Sequence, residues 1–133
     1  MNNEKDNVYD LVEDFYAHDE GWNTLLRQEY AEGFLRMEAW KGKKNSDLYR
    51  SWDNLTMLCL YLGSAETFLG DMNADDFIDC IAWCGRNISE FTPDYKNTQD
   101  FLETCDGLFK YLKGKNAISN DTVPATAAEI LLQ

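Results

Sequence analysis

The sequence predicts an all-α fold: a single compact bundle of about five helices followed by a short C-terminal helix. Three observations carry that expectation. Apolar residues recur at spacings of three and four along most of the chain. No segment alternates apolar and polar residues over a strand's length, and the β-branched residues are scattered among helix formers. Turn-forming residues fall mostly between the periodic segments rather than inside them.

Taken in order, Val8, Leu11, Val12, Phe15 and Tyr16 draw one apolar stripe on a first helix that ends near His18 to Gly21. Trp22, Leu25, Leu26, Tyr30, Phe34 and Met37 repeat the period through about Lys41, which predicts one long second helix. The polar run Lys41, Gly42, Lys43, Lys44, Asn45 then supplies a turn. Ser46 is placed to cap a third helix with Asp47 in its first turn; Leu48, Trp52, Leu55, Cys59 and Leu62 form its heptad-like seam, and Gly63 is placed to stop it.

Ser64 to Asp71 reads as a short helical turn around Phe68 and Leu69, closed by Gly70. Asn73 suits an N-cap, with Asp75 and Asp76 favourable at the positive helix end, and Phe77, Ile78, Ile81 and Cys84 face one way as far as Gly85. Ile88 to Lys96 contains Pro93 and reads as a connection. Thr98 can cap a helix carrying Phe101, Leu102, Cys105, Leu108, Phe109 and Leu112, with Lys110 and Lys113 near its C-terminal end and Gly114 as its stop. Residues 119–133 hold a turn at Ser119 to Asp121 and a short helix from about Pro124. Neither a repeat nor a long linker divides the 133 residues, so one domain is expected, with residues 1–20 as an acidic N-terminal helix.

The chain is 44% apolar and 14% aromatic, which excludes a disordered or low-complexity protein. Its formal charge of -12, concentrated in residues 1–20 and 66–106, disfavours non-specific attraction to nucleic acid or to an anionic membrane. The N-terminal stretch lacks the apolar run of a signal peptide, and the richest apolar stretch, Leu55 to Leu62, is too short to span a bilayer. A cytoplasmic location is expected. Cys59, Cys80, Cys84 and Cys105 all fall at apolar positions of helical patterns, as small, reduced core residues do.

Candidate chemistry is sparse. His18, the one histidine, stands at a helix end where it caps or meets solvent. Asp71, Asn73 and Asp75 resemble the opening of a calcium loop, but Asp76 occupies the position that needs glycine and Ala82 the position that needs a bidentate acid. Cys80 and Cys84 share a helix face without the further ligands that structural zinc requires, and Glu29 and Glu32 lack the Glu-x-x-His partners of a carboxylate-bridged metal bundle. There is no phosphate-cradling loop, nucleophile elbow, or local base for a Cys or Ser nucleophile. No enzyme, cofactor, metal site or small-molecule ligand is therefore expected. Tyr61 and Trp83 lie off the main stripes and mark either a contact surface or a second packed face.

The segments Tyr30 to Leu35 (YAEGFL), Ser51 to Leu62 (SWDNLTMLCLYL), Met72 to Trp83 (MNADDFIDCIAW) and Phe101 to Ile118 (FLETCDGLFKYLKGKNAI) give the region from about Thr24 to Ile118 its order of features. That order resembles the SAM-like N-terminal, core-binding domain of phage integrases and tyrosine recombinases. The resemblance implies a DNA-gripping helical module. It carries over no catalytic residue, because the Arg/His constellation and nucleophilic Tyr of that family belong to a separate domain with no counterpart here.

Phosphate contacts would fall to Lys41, Lys43, Lys44 and Arg50, with Lys110, Lys113 and Lys115 as a second patch. Against the acidic bulk, the expectation is a non-enzymatic helical module that binds another protein or itself. A DNA-binding module separated from its catalytic domain is the alternative.

Overall fold

The computed structural model describes residues 7–133; Glu4 and Asp6 of the expected acidic helix lie outside the described residues. The architecture is all-α: α1 (Val8–His18), α2 (Trp22–Leu25), α3 (Gln28–Trp40), α4 (Asn45–Ala65), a 3-10 turn (Leu69–Asp71), α5 (Ala74–Asn87), α6 (Tyr95–Gly114) and α7 (Val123–Leu131). Among the described residues no helix is long and apolar enough to cross a membrane. α4 and α6 are the axis of the fold: α3 packs on both, α1 on α3 and α4, α5 on α4, and α7 covers α5 and α6.

The stripes read from the sequence meet in one core. Trp52, Leu55 and Cys59 of α4, Phe77 and Ile81 of α5, and Phe101, Cys105, Leu108 and Phe109 of α6 are all buried together, with Phe77 and Phe109 in edge contact at 5.4 Å between ring centroids. The C-terminal helix docks through Pro124 and Ala127. Tyr61 and Trp83 pack edge-on against each other at 5.9 Å, joining α4 to α5. They form a second packed face.

Five helix boundaries differ from the sequence expectation. The long second helix is broken at Leu26, whose extended backbone (φ -151°, ψ 112°) separates α2 from α3. Its carbonyl accepts the buried Tyr16 hydroxyl, and the Asn23 carboxamide caps the new helix by accepting from Gln28 N–H at 2.8 Å. α4 begins one residue before Ser46, its entry turn tied down by Lys43 Nζ on Glu38 Oε2 (2.8 Å) and Ser51 Oγ (3.1 Å).

Gly63 and Gly85 do not stop their helices. A Cβ on Gly63 would stand 3.5 Å from Trp22, an ordinary packing contact, so the helix passes through this position unstrained; one on Gly85 would lie 2.8 Å from the Pro93 ring, too close for a side chain there. α4 instead ends two residues later, with Glu66 in the left-handed region at φ 54°. α6 starts at Tyr95 because Asp94, not Thr98, accepts from Asn97 N–H (2.8 Å); Thr98 is buried one turn inside. The Asn73 cap is as expected, completed into a capping box by Asp76.

Candidate functional site

A cleft of about 640 Å³ opens between the outer face of α4, the connection 88–94 and the first turns of α6. Its α4 wall follows from spacing: Arg50, Asp53, Asn54 and Met57 stand at i, i+3, i+4 and i+7, a mixed stripe beside the apolar seam. On α6, Lys96 and Asn97 stand one turn before Asp100. Met57, Leu60, Ile88 and Phe91 make the apolar floor. Pro93, seated against Gly85 of α5, holds the connection that carries Ile88, Glu90 and Phe91.

The two walls are bridged by one buried side chain. Asn54 is 5% exposed, and its amide donates to Asp100 Oδ2 (3.1 Å) and Thr104 Oγ1 (2.9 Å). Thr104 donates in turn to the Asp100 backbone carbonyl at 3.1 Å. Asp100 is thereby held in place at the cleft edge. Asp53 is exposed at the rim, and the loss of some of its water to the neighbouring cleft wall raises its carboxyl above the ordinary value. The cleft offers carboxylates, carboxamides and two cations over an apolar floor, with no imidazole and no thiol among its lining residues. Such a surface can orient a charged, partly apolar ligand.

Of the four cationic residues singled out from the sequence, only Arg50 lines this cleft. Lys41 and Lys44 stand exposed around the left-handed Gly42 (φ 104°), and Lys43 is engaged by Glu38. The second basic patch is also occupied: Lys110 pairs with Asp106 (2.7 Å), Lys113 with Asp121 (3.3 Å), and Lys115 lies over the Tyr111 ring. His18 is exposed at the end of α1. Glu29 pairs with Arg27 and Glu32 accepts from Gln28, both on the surface of α3.

All four cysteines are buried free thiols. Cys80 donates to Cys84, which raises Cys80 and lowers Cys84. Burial, then the thiols of Cys84 and Cys59, raise Cys105, and burial pushes Cys59 up to about 12. They occupy the junction of α4, α5 and α6. Among the described residues no group of three or more His, Cys, Asp or Glu side chains could hold a metal ion.

Sequence reasoning missed Asp53, Asn54, Phe91 and Asp100. The legible signal was the polar stripe of α4 beside an apolar seam; the Asn54 to Asp100 bridge, 46 residues apart, had none. Compared with family models, curated proteins and solved structures, the chain matches none of them.

Proposed function

We propose that this chain is a non-enzymatic helical module, on a scaffold resembling the core-binding domain of tyrosine recombinases, that binds another protein through the cleft between α4 and α6. The observation that carries it is the cleft itself. Fixed polar groups, led by the Asn54 to Asp100 bridge, border an apolar floor in which Leu60 remains 36% exposed. The acidic bulk favours a protein over a nucleic acid, and the lysines that would grip phosphate are drawn into pairs at Lys43, Lys110 and Lys113.

Panning a random peptide phage library against the immobilised protein tests this. Recovered peptides, synthesised and titrated by fluorescence anisotropy, are expected to bind the native chain and to lose binding to Leu60→Glu, whose circular dichroism melt stays unchanged. Peptides that bind both equally, or a library that yields none, would overturn the assignment. A labelled DNA duplex in the same assay is expected to show no binding at physiological salt. Binding with a steep salt slope that falls on replacing Lys41 and Lys44 would promote the DNA-binding alternative.

A further inference from the structure

Resting on the cleft as a protein-binding site, we propose that its occupant is a peptide segment presenting a lysine or arginine to Asp53 and Asp100, with a neighbouring apolar side chain seated on Leu60 and Phe91. Charge complementarity selects the cation. Asp53, Glu90 and Asp100 outnumber Arg50 and Lys96 around the cleft, and none of the five is in an ion pair among the described residues. A phosphate would be attracted by two groups and repelled by three; an ammonium or guanidinium is attracted by three and repelled by two.

Two further features point the same way. Asn54 occupies a buried position where an apolar residue would pack at lower cost, and its amide is spent on fixing the Asp100 carboxylate. A carboxylate ordered before binding costs a ligand less to engage. Asp53 lines the same cleft from α4, exposed and in no ion pair among the described residues, so its carboxylate is open to an incoming cation. The apolar floor argues for a peptide over a free amine, because Met57, Leu60, Ile88 and Phe91 offer a polyamine nothing.

The test is a peptide array with randomised flanks around fixed Lys-Leu, Arg-Leu, Gln-Leu or Glu-Leu centres, probed with the labelled full chain and followed by anisotropy of the best binders. Lys- and Arg-centred peptides are expected to dominate, and Asp53→Asn and Asp100→Asn each to weaken them about tenfold, in line with a hydrogen bond to a charged group. The double variant Glu13→Gln/Asp14→Asn on α1 removes two charges outside the cleft, and is expected to change affinity less than twofold. Equal losses in that control would assign binding to the overall negative field and overturn the proposal, as would spermine competing as well as unlabelled peptide. If Gln- or Glu-centred peptides bind best, still dependent on Leu60, the cationic occupant is wrong while the protein-binding cleft stands. If no centre binds, both fall.

Discussion

The hydroxyl of Tyr16 on α1 donates to the backbone carbonyl of Leu26, and this single bond marks where an expected long helix becomes two. Tyr16 is 2% exposed and Leu26 3% exposed, so the carbonyl has no access to water once the chain has turned. Burial foremost, then Cys59 and Glu32, hold the Tyr16 hydroxyl well above its ordinary value, which keeps it protonated as a donor. Tyr16→Phe leaves the Leu26 carbonyl buried without a donor. Urea unfolding is expected to report a loss of about 1–3 kcal/mol, and an unchanged midpoint would show that water replaces the hydroxyl.

Leu55 lies at the centre of α4 with no exposed surface. Leu55→Ala is expected to cost about 2–5 kcal/mol, the range for a large-to-small change that leaves a cavity. The denaturation midpoint should fall while the slope against denaturant is preserved.

Gly85 is a helix-interior glycine kept for contact. Alanine is the better helix former by about 1 kcal/mol, yet its Cβ would stand 2.8 Å from Cγ and 3.1 Å from Cδ of the rigid Pro93 ring. Overpacking of this kind costs about 1–3 kcal/mol. Gly85→Ala should therefore destabilise on balance and loosen the connection that carries Phe91; a raised melting temperature would mean that the connection yields freely.

Asp53 titrates with a raised folded-state value, caused by partial burial. The protonated form is favoured by folding, so its contribution is present below the ordinary carboxylate value and is lost as pH rises through the raised one. Asp53 stands exposed at the cleft rim, so water screens its charge and the cost to folding at neutral pH is small. Asp53→Asn is expected to raise the melting temperature at pH 7 only slightly, with that small advantage shrinking as pH falls through the carboxylate range. A variant less stable at pH 7, or one whose advantage grows in acid, contradicts this sign.

The four thiols should all react with maleimide after denaturation and only slowly in the native state, because each is buried. Cys84 should label first among them, since the Cys80 S–H bond stabilises its thiolate whereas the other three thiols are shifted upward. Peptide mapping of singly labelled protein reads the order directly. A count of zero or two would reveal disulfides.

The helical class, the core and the Asn73 cap were legible in the sequence alone. These depend on periodicity and on groups three or four residues apart: the stripes through Leu55, Phe77 and Phe101 all converge, and Asn73 needed only Asp76 to form its box. Glycine was legible as a break at Gly42 and misleading at Gly63, where the helix simply continues, and at Gly85, where the missing Cβ serves close packing against Pro93 rather than turning, a role set by what the rest of the fold brings there. The break at Leu26 needed Tyr16, ten residues earlier. The cleft needed more still: Asn54 on α4, Asp100 on α6 and the 88–94 connection pinned by Pro93 meet only after the bundle closes. Local spacing specifies what a segment is; long-range packing decides which polar groups are buried, bridged or left facing a cleft, since burial and desolvation are properties of the assembled surroundings rather than of any residue's neighbours in the chain.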